Sequence, residues 1–332
     1  MSKEYSACQL RGATNRPNEY QPGNCCIVNA KLQHFKKVAS NILVALGIVF
    51  IAYIGIRNWK DLTLVFSEFD QFLFALSVAA GVLGNLGIAL LFRSLLVKHN
   101  ALISAQDAAS LFYLSQITKY VPGKIWGILY QASRVEGMTG SIAILLSNIE
   151  LMGIAIFTNI VIATSILSAS TYPAVSWVTL IFGIGITYYV TKANALRFVR
   201  KYLNKKFDTK SLDVITHSEN VLFDLFAYWV CAGLFVIANF ALLSAFFDLD
   251  TISKLHLIAY LLLASAISVL VVVMPAGIGV KEVIFLLLAG GSTEYYEGLL
   301  VTVAIVSRFW QVTMDLSGAA LVFALRRFFG KS

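Results

Sequence analysis

Beyond residue 40 the chain is a succession of long apolar runs separated by short polar stretches. A run of about 20 apolar residues spans the hydrocarbon of a bilayer. Six stretches approach or exceed that length: 40–56, 69–92, 142–168, 174–191, 222–247 and 298–325. Two more, 104–132 and 255–291, are apolar but interrupted. The interruptions are Lys119-Tyr-Val-Pro122-Gly123-Lys124-Ile-Trp126-Gly127 and Met274-Pro275-Ala-Gly277-Ile-Gly279-Val-Lys281-Glu282, with Pro122 and Pro275 lying 153 positions apart. Proline removes a backbone donor and clashes with the preceding turn, so a helix ends there. Irregular backbone survives at membrane depth only where protein or a water-filled cavity covers it. The pattern therefore predicts an all-α polytopic membrane protein. It has about six full spans plus two Pro-Gly-broken re-entrant hairpins, the alternative being eight or more spans with each broken stretch crossing twice.

Charge sorts the ends of these runs. Eighteen Lys and Arg fall in 1–39, 93–98, 192–219 and 326–332, whereas 57–70, 169–173, 248–256 and 292–297 hold only Arg57, Lys60 and Lys254 beside seven acidic residues. An excess of basic residues marks cytoplasmic loops, so both termini are expected in the cytoplasm and the protein in the inner, cytoplasmic membrane. Segment 104–132 then begins and ends inside and 255–291 begins and ends outside. The stretches 69–168 and 222–325 become two similar units of opposite orientation, the inverted-repeat plan of many secondary transporters. The expected organisation is a polar tail over 1–39, one transmembrane domain over 40–326 and a basic tail over 327–332. Within that domain, 192–219 is a basic connector attracted to anionic lipid.

Composition agrees. The 332 residues are 58% hydrophobic and 13% charged, with mean hydropathy +0.76, whereas soluble domains carry about 25% charged residues. The net charge of +8 lies beside apolar spans, which argues for membrane lipids and not nucleic acid as the partner. Cys8, Cys25, Cys26 and Cys231 show no metal spacing, and His34, His99, His217 and His256 fall in loops or tails at no ligand spacing. The five Trp and 14 Tyr are interface anchors or packing residues. No phosphate-binding loop, dinucleotide fingerprint or nucleophile elbow is present, so neither catalysis nor a cofactor is expected.

Chemistry is expected where the spans are broken. A helix that starts after Pro122 or Pro275 presents unpaired N–H groups and the positive end of its dipole, a ready anion site. Lys124 adds a full charge at the first break. Gly123, Gly277 and Gly279 let backbone approach a ligand closely. Arg308, Gln311 and Asp315 share one face of the last span, where Arg308 offers a planar fork to phosphate. Arg134 and Glu136 lie near the cytoplasmic end of the first broken segment, placed for a head-group contact or for a solvated pair. Charges inside a membrane normally face a cavity or a partner, and a Glu150–Arg308 pair would satisfy both. Glu282, in the first turn after the second break, either caps that turn or couples proton movement to transport. Its neighbour Lys281 points elsewhere, because adjacent residues do not share a helix face.

The run Met274–Glu282 followed by Arg308 resembles the lysylphosphatidylglycerol synthase transmembrane family, also called flippase-like. The run Lys119–Trp126 followed by Glu150 resembles that family's first-half motif, in a form like that of members found beside surface-polysaccharide genes. The resemblance covers most of 40–325. It implies a short form lacking the soluble aminoacyl-transferase domain, so lysyl transfer is not carried over. What it implies instead is movement or handling of a phosphate-bearing lipid, anionic or polyprenyl-phosphate-linked, in cell-envelope polysaccharide or lipid biogenesis. Two other classes compete: a non-transporting accessory subunit working with polysaccharide-assembly proteins, and a membrane-embedded lipid-phosphate transferase using Glu150 or Glu282 as base. Cysteine labelling in a Cys-free background tests the topology. Positions 95–101 should label from the cytoplasmic face and 291–296 from the outside, and swapped sides at either loop would contradict the inverted repeat.

Overall fold

A computed structural model describes residues 65–99, 101, 103–118, 131–132, 137–192, 221–270, 279–291 and 297–329, with isolated positions at 56 and 63. All regular structure among these residues is helical: α1 Gln71–Lys98, α2 Ala105–Thr118, α3 Gly137–Ala169, α4 Pro173–Lys192, α5 Val221–Phe246, α6 Thr251–Leu270, α7 Val280–Gly290 and α8 Glu297–Phe329. Five of them, α1, α3, α5, α6 and α8, are long and apolar enough to cross a membrane. The 14 residues of α2 and the 11 of α7 reach only ~21 and ~16 Å at 1.5 Å per residue, short of the ~30 Å hydrocarbon core. The expected span 40–56 lies outside the described residues, except for Ile56.

Two details differ from the sequence reading. α6 alone has span length, so the first limb of the second broken stretch is not a half-helix. α1 continues through Lys98, where a loop over 93–98 was expected. Its two cations are accommodated on the helix: Arg93 Nε donates to the Ile103 carbonyl at 3.1 Å, and Lys98 meets Glu150. Long basic side chains reach such partners from an otherwise apolar turn, which a hydropathy window cannot register.

Helix starts follow local chemistry. Asp70 caps α1, its Oδ1 accepting from the N–H groups of Phe72 and Leu73 at 2.8 and 3.0 Å. Asp250 does the same for α6 through Ile252 and Ser253. The Ser253 side-chain hydrogen bond is the main influence holding the Asp250 carboxyl below its usual range. These caps satisfy donors that no preceding turn reaches.

α1 packs most extensively on α5, and α3 on α6. The α1–α5 pair is antiparallel. Ser77 Oγ donates to the Ala238 carbonyl at 2.8 Å, and Ser94 Oγ lies 2.8 and 2.9 Å from the two Asp224 oxygens. At the Asp70 end, Phe66, Phe69, Phe74, Phe246 and Phe309 form an aromatic cluster in which Phe69 and Phe246 stack at 4.9 Å. Helix ends group as the charge pattern groups them. Arg326 of α8 lies 3.6 Å from Asp107 of α2 and Ser94 lies beside Asp224, while Ser170 after α3 lies beside His256 of α6. On α4, Trp177, Val178, Ile181 and Phe182 are about two-thirds exposed, a face suited to lipid and costly in water.

Close crossings require glycine. A Cβ on Gly318 of α8 would fall within the ring of Tyr113 on α2. Tyr113 is buried and donates to the Val82 carbonyl at 3.1 Å. Gly153 of α3 faces open space. Gly318→Ala is therefore expected to destabilise the protein by about 1–3 kcal/mol through overpacking, and Gly153→Ala to cause no loss. Melting curves of the two variants in one detergent check the contrast.

Candidate functional site

In the middle of the bundle lies a cavity of about 230 Å³ touched by seven helices, all but α4. Each of the seven contributes at least one polar side chain. α1 supplies Asn85, α2 Gln116 and α3 Asn159, while α5 supplies Asn239. From the second half come Ser265 of α6, Lys281 of α7, and Gln311 and Asp315 of α8. The rest of the wall is apolar and includes Tyr228, Phe235 and Trp310. Asn85 lies 14 residues beyond the start of α1, ~21 Å along its axis, so the cavity is at mid-bundle depth. Carboxamides at that depth are costly unless they face one another, a cavity or a ligand.

α7 brings charge to this place. Its N-terminus is formed at Gly279, whose φ of 81° is a left-handed conformation that only glycine adopts without strain. The Gly279 N–H donates to Glu282 Oε2 at 2.9 Å, and the Gly279 carbonyl accepts from Val283 N–H at 2.9 Å. The carboxylate three residues into the helix thus reaches back to its first turn, where the dipole also favours negative charge. The other Glu282 oxygen lies 3.9 Å from Arg308 Nη1, and the same Nη1 lies 3.5 Å from Gln311 Oε1. Lys281, one residue earlier, points instead to the cavity. The sequence expectation that these neighbours diverge, and that Gln311 and Asp315 share a face, holds in the structure.

The expected Glu150–Arg308 pair does not form. Glu150 meets Lys98 Nζ at 2.5 Å through one oxygen and His99 Nε2 at 3.2 Å through the other, which places it at the Lys98 end of α1. The physical reason is the longer α1: its last turn carries Lys98 and its cap residue is His99, and both reach the α3 face that presents Glu150. His99, expected in a loop, has a side chain only 3% exposed. The hydropathy drop after residue 92 hid it.

Gly279, Glu282, Arg308, Gln311 and Asp315 are therefore gathered around one region, and Glu150 is not part of it. Pro122, Gly123, Lys124, Arg134, Pro275 and Gly277 lie outside the described residues. A link near the first break is nonetheless visible. Gln131 Nε2 donates to Ser115 Oγ at 2.9 Å and its Oε1 accepts from Asn148 Nδ2 at 2.7 Å, so residue 131 lies beside the last turn of α2 and beside α3. Sequence reasoning also missed the four cavity carboxamides other than Gln311's, because single Asn and Gln residues in long apolar runs carry no motif. Their one signal is their cost in lipid. Comparison of the chain with protein-family models, curated proteins and solved structures finds no match.

The Lys98–Glu150 pair makes a quantitative prediction. Both side chains are about nine-tenths buried, and removing one member of such a pair strands the other at a cost of about 3–5 kcal/mol. Glu150→Gln and Lys98→Met should each lower the melting temperature, and the double variant should recover most of the loss. Additive losses would show that the two side chains act separately.

Proposed function

We propose that this protein is a membrane transporter or flippase that carries the head group of a phosphate-bearing lipid or lipid-linked glycan through the mid-bundle cavity. The observation that carries the reading is the cavity itself: seven helices each place a polar side chain against one space about halfway along the bundle. A bundle that only needed to be stable would fill that space with apolar side chains, because buried polar groups seldom add stability. A polar chamber at mid-depth lets a head group leave one interface and reach the other without crossing hydrocarbon.

Two further arrangements support the reading. The short α7 begins beside the cavity, and α2 reaches it with Gln116. The described parts of both are shorter than a span, which fits limbs of re-entrant segments at a binding site. Several helix pairings also recur when the halves are exchanged. With α1 matched to α5, α2 to α6 and α3 to α8, the α2–α8 contact corresponds to α3–α6, and α1–α2 to α5–α6. Such a recurrence supports an inverted repeat over 69–168 and 222–325, which would give a translocation route two related gates. The resemblance of the Met274–Glu282 run to the flippase-like family points the same way. In this scheme Arg308, steadied by Glu282 and Gln311, contacts the phosphate during passage, the basic ends face the cytoplasm, and no chemical step is required.

Reconstitution tests this directly. Vesicles containing the purified protein and a trace of fluorescent phosphatidylglycerol or of a short-chain polyprenyl-phosphate sugar are treated with an impermeant quencher. The protein should make the inner-leaflet probe accessible, faster than in empty vesicles. Arg308→Lys keeps the charge but loses the two-pronged geometry and should slow movement about tenfold, the effect of losing one charged hydrogen bond. No acceleration with either probe would contradict the transport reading, and wild-type rates in Arg308→Lys would remove Arg308 from the path.

A further inference from the structure

The cavity's chemistry goes further than its position. We infer that the moiety it holds is an uncharged, hydroxyl-rich head group the size of one sugar ring, gripped by carboxamides, with any phosphate left outside the chamber. This deepens the transport reading and rests on it.

The lining is the first argument. Asn85, Gln116, Asn159, Asn239 and Gln311 all face the space. Each primary amide offers two donors and a carbonyl acceptor. A hydroxyl both donates and accepts, so a ring of amides satisfies several hydroxyls in turn. A phosphate only accepts, and amide carbonyls would turn their negative ends toward it. Charge is the second argument. Among the described residues the lining contains one cation, Lys281, and one anion, Asp315, and these balance. The groups that phosphate ordinarily seeks are a guanidinium fork and a helix N-terminus. Here both stand at the cavity's edge beside Glu282 and not in its lining: the Gly279 N–H donates to Glu282, and Arg308 lies 3.9 Å from it.

Asn85 supplies the third. Its side chain is 7% exposed and faces the cavity, and it makes no hydrogen bond to another described residue. A buried amide in that condition costs free energy unless something in the cavity meets it. Size and shape are the fourth. A volume of about 230 Å³ falls below the roughly 300–1,000 Å³ of pockets for larger ligands. That size suits one sugar ring better than an oligosaccharide. Trp310 and Tyr228 add flat apolar walls against which the C–H face of a ring can lie.

The test uses the full chain in phosphatidylcholine nanodiscs. Two short-chain probes, a monoglucosyl diacylglycerol and a phosphatidic acid of equal chain length, are titrated by calorimetry. The glucosyl lipid should bind, and the phosphatidic acid should bind at least about tenfold more weakly and not displace it. Asn85→Leu, nearly isosteric and free of the stranded amide, should fold and lose about tenfold in affinity for the glucosyl lipid. Asn159→Leu gives an independent reading from α3. Tighter binding of the phosphatidic acid would overturn the inference, and so would unchanged glucosyl-lipid affinity in both variants. Either result would leave the transport reading standing if the vesicle assay still shows movement. Asparagine-dependent glucosyl-lipid binding without movement in vesicles would instead support the site and contradict transport.

Discussion

The first N–H groups of a helix have no partner in a preceding turn, and wherever apolar surroundings supply none the protein must provide one. α7 meets this constraint with its own carboxylate. Glu282 turns back to the N–H of Gly279 and at the same time lies near Arg308 of α8. The arrangement requires glycine at position 279, where φ is positive. It also requires an acid three residues into the helix and a cation on the facing span, a set of demands concentrated in eight residues of sequence and one arginine. Lys281 is directed into the chamber because Glu282 is held on the other side. The rest of the cavity can be seen as the continuation of this contact into a polar space shared by seven helices.

Much of the architecture was legible in the chain. The apolar runs 69–92, 142–168, 222–247 and 298–325 correspond to α1, α3, α5 and α8, and 174–191 to α4. The break before Lys281 is a genuine helix start. Hydropathy and proline report burial in lipid and loss of a backbone donor, two strong effects, and those features survive. The helix ends were less legible. Arg93 and Lys98 looked like a loop because charge lowers hydropathy, yet each finds an acceptor while the helix continues. That extension explains why Glu150 meets Lys98 and His99 instead of Arg308. Side-chain partners depend on which helix faces lie together, and a single sequence does not encode those pairings in any short pattern.

The candidate site was half legible. Arg308, Gln311, Asp315, Glu282 and Gly279 were readable because charge and glycine stand out in an apolar background. Asn85, Asn159, Asn239 and Gln116 were not. Each is a single neutral polar residue in its own helix, separated in sequence by tens of positions, and only folding brings them to one space. Their convergence gives the cavity a character different from the phosphate cradle that the two breaks alone suggested: among the described residues it is balanced in charge and rich in amides. The cation and the helix N-terminus that would serve a phosphate stand at its edge, already in contact with Glu282.

The account's central claim is that this chamber is occupied by a lipid head group during the protein's work. A cryo-electron microscopy map of the protein reconstituted with lipids from its own membrane tests that claim most directly. The account predicts a ring-sized density within the cavity, in contact with Asn85 and Gln311 and continuous with an acyl or prenyl chain that leaves between helices. A map in which the cavity contains only scattered water, with lipids confined to the outer surface of the bundle, would contradict it.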